Sequence, residues 1–269
     1  MSKRKNSFID AAKGKGPSPQ QIIKDSEQLR TPAYKYARAI CERVFKLDDL
    51  SEIEDRIYMA EPKSYESISR KARDNYQGDR TKITDGARLT VFTKDAQELE
   101  NALKIFNPVH YRNHSFHKDM QRRSGYTFHN DPKDFVTNPK RWGYMALYAV
   151  MDYDGKSFEV QIYPHSMKKT YNRTHELYEA VRGSLEKWEQ SGKAIDEILT
   201  AGELDIVKEI LELHKQAAQE AGILDLVDRF PEFSDLPSLV KEPNIEQYPQ
   251  DKGPALTHRN DSPAYTYDA

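Results

Sequence analysis

The sequence predicts a layered fold in which helices pack on a β-sheet, of the α/β or α+β class. Read in order, its central part gives a helix, a strand, a helix, two strands and a long helix. The two adjacent strands are the clearest signal, because Asp154-Gly155 is a strong β-hairpin turn between the segments 145–152 and 157–163. Apolar and polar residues alternate in the second segment, so Glu159 and Gln161 share one face of the sheet. That face is either simply solvated or part of a polar cleft.

The composition limits the classes of protein that are possible. The chain has 269 residues, 37% of them hydrophobic and 31% charged, with a net charge of −2. This balance argues against a general basic surface for nucleic acid. Cys41 is the one cysteine, which excludes an intrachain disulfide and a cysteine metal cluster. We expect a cytoplasmic protein, because we find no membrane-spanning run and no secretory signal.

We expect the chain to be organised around one central domain. The predicted segments are a flexible leader at 1–17, N-terminal helices at 18–54, the central domain at 55–190, C-terminal helices at 191–230 and a disordered tail at 231–269. Pro32 is expected to interrupt the N-terminal helices, and 48–59 to form a short helical connection. Short helices are expected at 195–199 and 223–230.

Two stretches carry residues suited to binding an anion. Ser64 is a good N-cap, and Lys63, Ser67 and Lys71 follow at intervals of four along one side of the helix start. Two ammonium groups, a hydroxyl and the helix dipole together favour a phosphate. The simpler interpretation is an exposed basic helix. Further along, Asp85 is placed at the mouth of a strand, with Arg88 three residues later.

The segment 107–137 has no clear periodicity. It contains four histidines and several basic residues, among them His110, His117 and Arg122. The histidine spacing matches no common zinc motif, so a basic rim for a phosphate-bearing ligand is the favoured interpretation over a metal site. A short strand is expected at 124–128.

Taken together, these stretches resemble the synthetase domain of the RelA/SpoT family, the alarmone synthetases that move pyrophosphate from ATP to a nucleotide 3′-hydroxyl. The resemblance covers roughly residues 55–185. The matching stretches begin with the lysine–serine helix and Asp85 with Arg88. They continue with the acceptor loop Asn138-Pro139-Lys140 and Gly143-Tyr144, the strand Glu159-Val160-Gln161-Ile162, and the helix sequence from His175 to Glu179.

The resemblance implies an α+β fold with a mixed β-sheet, helices packed around it and helical flanks at both ends. It also implies a role for each matching residue. Asp85 and Glu159 would hold Mg²⁺ and act in catalysis together with Arg88. Lys63, Ser67, Lys71 and Arg88 would bind the phosphates of ATP. The acceptor would contact Asn138, Lys140, Tyr144, Gln161 and His175, with its base stacked on Tyr144.

The sequence also departs from the family pattern. Glu61 stands where an arginine is usual, and Tyr163 stands where the family has an arginine after the strand. Tyr148 replaces a frequent histidine. The short spacing from Asp85 to Arg88 resembles the toxin-like branch. We therefore expect a small, synthetase-only protein, with an antitoxin or immunity protein or a second copy of itself as partner.

Three functions remain open from the sequence. The first is an ATP-dependent pyrophosphokinase that makes (p)ppGpp or (p)ppApp, active as a growth-arresting toxin. The second is pyrophosphorylation of the tRNA 3′ end, which the basic segment 110–123 would favour. The third is a catalytically degenerate member that binds a nucleotide or a protein, for which Glu61 and Tyr163 argue.

Overall fold

The computed structural model describes residues 15–191, 193–227 and 231. Its helices are α1 Pro19–Arg43, α2 Leu50–Arg56, α3 Tyr65–Tyr76, α4 Ala96–Ile105, α5 Ser115–Ser124, α6 Ser166–Ser191 and α7 Ala201–Glu220. Its strands are β1 Ile57–Met59, β2 Ala87–Thr93, β3 Thr127–Phe128, β4 Lys133–Asp134, β5 Leu147–Tyr153 and β6 Lys156–Pro164. Short 3₁₀ turns lie at Arg80–Lys82, Tyr111–Asn113, Ile195–Glu197 and Leu224–Leu226.

The strands form one mixed sheet in the order β1-β2-β6-β5-β3, and β4 also pairs with β5. Only the β2–β6 pair among these strands is parallel, and its register places Arg88 beside Glu159. The predicted hairpin is present as β5 and β6, with Asp154 and Gly155 both at positive φ in the turn. The expectation of an α+β fold with a mixed sheet and helical flanks is therefore confirmed.

One face of the sheet is covered by α1 and forms the hydrophobic core. Leu89, Val160 and Ile162 are buried on this face, as their alternation in the strands predicts. Tyr36 of α1 packs its ring 6.0 Å from that of Phe158. The opposite face of β2, β6 and β5 carries the polar residues of the alternation, and that face forms the floor of the cavity described below.

Helices α6 and α7 pack against each other beside the sheet through a second apolar cluster. This cluster includes Val181, Leu185 and Trp188 of α6, with Val207 and Ile210 of α7. The pairing brings the C-terminal half of α7 up to the cavity. Within the described part of the chain, no helix has the length and apolar character needed to cross a membrane.

The predicted break at Pro32 is wrong, since α1 runs through it without interruption. Proline removes one backbone hydrogen bond, but Leu29, Ala33 and Tyr36 are buried on both sides of it. The carbonyl oxygen of Pro32 also accepts a hydrogen bond from the Tyr126 hydroxyl at 2.8 Å, which ties this part of α1 to the core. Packing against the sheet thus outweighs the local preference for a break.

Several other boundaries differ from the sequence expectations. The segment 48–59 is not wholly helical, because its last three residues form the edge strand β1. Segment 107–137 contains the helix α5, which was not expected, and the strand expected at 124–128 is reduced to β3. The stretch 195–199 makes only a 3₁₀ turn. Segment 223–230 is described only to 227, and there it also makes a 3₁₀ turn. Most of the predicted leader and all but one residue of the predicted tail lie outside the described residues.

Candidate active site

A cavity of about 630 Å³ opens on the polar face of the sheet. Its walls come from α3, the loop before β2, strands β2, β5 and β6, the loop before β5, and helices α6 and α7. Nine of the predicted site residues line it: Lys63, Ser67, Lys71, Asp85, Arg88, Lys140, Tyr144, Gln161 and His175. The structure therefore gathers residues that are more than a hundred positions apart into one space.

Helix α3 presents its first turns to the cavity. It begins where the Ser64 hydroxyl accepts a hydrogen bond from the Ser67 backbone N–H at 3.2 Å. The spacing of four then places Lys63, Ser67 and Lys71 on the cavity side. Arg70, which was not among the predicted residues, also lines the cavity.

Asp85 is buried between these lysines and the sheet. The Lys71 ammonium lies 2.6 Å from Asp85 Oδ2, and that of Lys63 lies 3.3 Å from the same oxygen. Burial alone would raise the pKa of Asp85, but the two ammonium groups outweigh it and hold the pKa below its ordinary value. Asp85 Oδ1 is buried and has no hydrogen-bond partner among the described residues.

A close approach of the chain to α1 holds the Asp85 loop in place. A Cβ atom on Gly86 would lie 2.5 Å from Ser26 Oγ and 3.0 Å from a methyl group of Ile22. Ser26 Oγ is itself fixed, because it donates to the Ile22 carbonyl at 2.7 Å. Glycine is therefore required directly after Asp85, and the loop packs against the helix without room for adjustment.

Glu159 lies beside this cluster and below the cavity lining, with 5% of its surface exposed. Gln161 Nε2 donates a hydrogen bond to one of its carboxylate oxygens, and the Tyr148 hydroxyl bonds to the same group. Burial, followed by the negative charge of Asp85, raises the pKa of Glu159 above its ordinary value. A buried carboxylate with a raised pKa is suited to accepting a proton.

From its position on β2, Arg88 faces the carboxylates of Asp85 and Glu159. Burial opposes its charge, but the nearby Tyr171 and Glu159 more than compensate and keep the pKa of the guanidinium above its ordinary value. Arg88 therefore stays charged at the floor of the cavity. Its place next to Glu159 follows from the parallel register of β2 and β6.

The donor atoms around Asp85 fit a hard divalent cation such as Mg²⁺. Asp85 Oδ1 and Gln161 Oε1 are both buried oxygens without a hydrogen-bond partner among the described residues. The Glu159 carboxylate is close enough to Asp85 for their charges to repel. Carboxylate and amide oxygens are the ligands that Mg²⁺ prefers, and a cation would relieve this repulsion.

The other end of the cavity is aromatic. The Trp142 and Tyr178 rings stack with centroids 4.8 Å apart and planes at 24°. Tyr144 lies 5.1 Å from Trp142 and 5.7 Å from Tyr163, and it is half-buried. Lys140 extends over the Phe135 ring at 5.0 Å. A planar base could contact these rings, and the nearby ammonium could contact its phosphates.

A tight turn forms the loop that carries Lys140, Trp142 and Tyr144. The Gly143 N–H donates to the Lys140 carbonyl at 2.7 Å, and the Lys140 N–H donates to the Tyr144 carbonyl at 3.0 Å. Gly143 has φ of 81°, a conformation that favours glycine. Asn138 precedes this turn, is exposed and does not line the cavity, so its predicted contact with the acceptor is not supported.

The basic segment 110–123 does not form a rim of the cavity, contrary to expectation. His117 is buried, its Nε2 lies 2.8 Å from the Ile105 carbonyl oxygen, and it packs 4.7 Å from the Phe128 ring. Arg122 and Arg123 pair with Asp119 of the same helix. In the described part of the chain no three His, Cys, Asp or Glu residues are close enough to hold a metal ion.

Several residues that line the cavity were not predicted from the sequence. Tyr171, Tyr178 and Arg182 line it from the same side of α6 as the predicted His175, and their spacing of three to four from one another and from His175 is a helical stripe that could have revealed them. His214 of α7 also lines the cavity, and no sequence signal connected it to the site. Glu61 does not line the cavity. It lies on the surface, where its Oε1 is 3.6 Å from Nη2 of Arg30.

Neither a protein-family model nor a curated protein matches the chain. Solved structures similar to it include small alarmone synthetase 1 from Bacillus subtilis bound to its product pppGpp, at 16% identity, with 76% of this chain and 91% of that chain covered and a TM-score of 0.48. A GTP pyrophosphokinase family protein from Streptococcus pneumoniae gives 17% identity, coverages of 82% and 91%, and a TM-score of 0.45.

A third similar structure is the complex between the Type VI effector Tas1 and its immunity protein. It gives 16% identity, covers 75% of this chain and 96% of that chain, and has a TM-score of 0.43. These solved structures include small synthetases of the kind that the sequence motifs resemble.

Proposed function

We propose that this protein is an ATP-dependent pyrophosphokinase that transfers the β,γ-pyrophosphate of ATP to the 3′-hydroxyl of a purine nucleotide, making (p)ppGpp or (p)ppApp. The observation that carries the proposal is the pairing of two buried carboxylates, Asp85 and Glu159, with a group of cations in one cavity. The aromatic end of the same cavity supplies a surface for a base.

The cations would bind the phosphates of ATP. Lys63, Lys71, Arg70 and Arg88 line one end of the cavity, at the N-terminal part of α3 and the start of β2. Without a ligand, Lys63 and Lys71 neutralise Asp85. A triphosphate would offer these ammonium groups more negative charge than one carboxylate does, so they would turn toward it.

Glu159 would act as the general base. It would take the proton from the acceptor 3′-hydroxyl as that oxygen forms its bond to the β-phosphorus of ATP. The bond from the β-phosphorus to the oxygen shared with the α-phosphate would break, and AMP would leave with that oxygen. The raised pKa of Glu159 makes it a stronger base than a solvated carboxylate.

Mg²⁺, held by Asp85 and Glu159 when bound, would neutralise charge on the transferred phosphates. Tyr148 and Gln161 would hold the Glu159 carboxylate in place through their hydrogen bonds to it. Tyr144 would stack on the acceptor base and Lys140 would contact the acceptor phosphates, consistent with their positions at the aromatic end.

An assay of AMP release from radiolabelled ATP tests the proposal. The purified chain would be incubated with Mg²⁺ and separately with GDP, GTP, ADP, ATP or tRNA, and the products separated by chromatography. We expect a pyrophosphorylated purine nucleotide, and none when Glu159 is replaced by Gln. Labelling of tRNA alone would favour the tRNA 3′ end as acceptor. Nucleotide binding without any transfer would favour a degenerate binding protein.

In cells, the proposed activity predicts growth arrest. Expression of the wild-type chain in bacteria should stop growth, with new nucleotides in the extract, whereas the Glu159→Gln variant should allow growth at equal soluble levels. An immunity protein or antitoxin that relieves the arrest would be a partner of the active form. Whether the chain also self-associates can be measured by light scattering of the purified protein.

A further inference from the structure

His214 is a buried polar residue at the aromatic end that the proposed reaction does not yet use. It lies on α7, outside the predicted central domain, with 4% of its surface exposed. Its ring centre is 5.9 Å from that of Trp142 and 6.5 Å from that of Tyr144. It therefore lies against the loop that would receive the acceptor base.

The hydrogen bond of His214 defines which ring nitrogen carries the proton. Nδ1 lies 3.4 Å from the backbone carbonyl oxygen of Trp142. A carbonyl oxygen only accepts hydrogen bonds, so Nδ1 must be the protonated nitrogen and Nε2 must present a lone pair. Burial lowers the pKa of His214 to about 4, so the ring is neutral near pH 7.

The second ring nitrogen is left available to a ligand. Nε2 of His214 makes no hydrogen bond to any residue in the described part of the chain. This atom is nevertheless not fully buried. His214 itself lines the cavity, so a ligand bound there can approach its ring. An acceptor nitrogen beside stacked rings is suited to reading a donor on the edge of a base.

The angle between the rings allows such a contact. The His214 plane makes 77° with the Tyr144 plane. A base stacked on Tyr144 would lie roughly parallel to that ring and so nearly perpendicular to the imidazole. Two perpendicular planes share one line, and an N–H in the base plane can point along it to a lone pair in the imidazole plane.

We propose that His214 is a specificity-determining residue, whose Nε2 accepts a hydrogen bond from the exocyclic amino group of the acceptor base. The amino group projects furthest from the purine ring, so it is the donor best able to reach a side chain beyond the edge of the base. The acceptor would then be an amino-bearing purine, adenine or guanine, in preference to the same ring without that group. This inference rests on the proposed acceptor role of Tyr144.

A purely structural role for His214 can be separated by substitution. The side-chain nitrogen of asparagine takes nearly the place of histidine Nδ1, so His214→Asn keeps a donor for the Trp142 carbonyl but has no counterpart of Nε2. If His214 only anchors the loop, this variant should bind every nucleotide as the wild type does. Glu212→Gln, an exposed change on the same helix, serves as the control.

The test is a set of nucleotide affinities measured by calorimetry. GDP would be compared with inosine diphosphate, and ADP with purine riboside diphosphate, so that each pair differs by one amino group. We expect the wild type and Glu212→Gln to bind the amino-bearing member of at least one pair roughly three- to tenfold more tightly. In His214→Asn the difference should fall below twofold, with affinity for the amino-lacking member unchanged.

The outcomes distinguish this inference from the proposed function. An amino preference that is kept in His214→Asn, or that is absent from the wild type, overturns the role of His214. The pyrophosphokinase proposal would still stand in that case, provided that transfer is measured with the same nucleotides. A preference that depends on His214 in a protein without transfer supports base recognition and overturns the pyrophosphokinase proposal. A wild-type chain that binds none of the four nucleotides overturns the inference as well.

Discussion

The two ends of the cavity are built in different ways. The charged end, defined by Lys63, Lys71, Asp85, Arg88 and Glu159, is formed by the start of one helix and by strands β2 and β6 with the loop before β2. The aromatic end, defined by Phe135, Trp142, Tyr144, Tyr178 and His214, is formed by the segments before β5 and by two helices that pack together. Ion pairs hold the charged end together, whereas ring contacts between separate parts of the chain hold the aromatic end together.

The two ends also respond to pH in opposite directions. At the charged end, burial and Asp85 raise the pKa of Glu159, so its neutral form is favoured as the pH falls. At the aromatic end, burial lowers the pKa of His214 to about 4, so its neutral form is favoured as the pH rises. Burial favours the neutral form in both cases, and the sign differs because one group is an acid and the other a base.

The largest expected effect comes from removing the base at the charged end. Glu159→Gln keeps the size of the side chain but cannot accept the proton, so transfer from ATP should fall by roughly 100- to 10,000-fold. AMP release from radiolabelled ATP measures it. The exposed variant Glu212→Gln should transfer normally. If the Glu159→Gln protein retains a tenth of wild-type transfer, Glu159 is not the general base.

A smaller effect is expected at the aromatic end. Tyr144→Ala should raise the acceptor KM by roughly 10- to 100-fold, since stacking of a base on an aromatic ring contributes about 1–3 kcal/mol. The KM for ATP should change less than threefold. Tyr144→Phe keeps the ring and should remain near wild type in acceptor KM. Equal changes for both substrates would show that the two ends of the cavity do not bind separate substrates.

The charged end can also be weakened without loss of the base. Lys71→Met removes the ammonium that lies 2.6 Å from Asp85 Oδ2, so the pKa of Asp85 should rise. The KM for ATP should rise roughly tenfold, because a charge-assisted contact to phosphate is lost. Kinetics and carboxyl carbon NMR measure the two effects. The exposed variant Lys82→Met should change neither the pKa of Asp85 nor the KM for ATP. An unchanged ATP KM in Lys71→Met would show that Lys71 of α3 does not bind the phosphates.

The last effect is on stability in mild acid and leaves the activity near pH 7 aside. Because the pKa of His214 is lower in the folded than in the unfolded chain, its stabilising contribution is complete above about pH 6.5 and is lost as the pH falls toward 4. Between pH 7 and pH 5 the wild type should therefore lose roughly 2 kcal/mol more unfolding free energy than His214→Asn. Urea denaturation at each pH measures this. Parallel losses in the two proteins would mean that His214 is not buried as a neutral ring.

Most of the charged end could be predicted from the sequence because its signals are local. A helix start with residues spaced by four places Lys63, Ser67 and Lys71 on one side, and the alternation in a strand places Glu159 with Gln161. The hairpin turn at Asp154-Gly155 is equally local and is present. Each of these patterns is decided by backbone geometry within a few residues.

Apart from Tyr144, which the resemblance had already placed at the acceptor, the composition of the aromatic end was decided only by tertiary structure, as were several element boundaries. Pro32 remains inside α1 because the sheet buries the helix on both sides of it, and His117 enters the core instead of facing a ligand. The place of His214 depends on how α7 packs on α6, more than seventy positions from the loop that it contacts. Contacts between such distant segments are selected by the area that they bury and by how well their shapes fit. No short sequence pattern records the buried area or the fit of shapes.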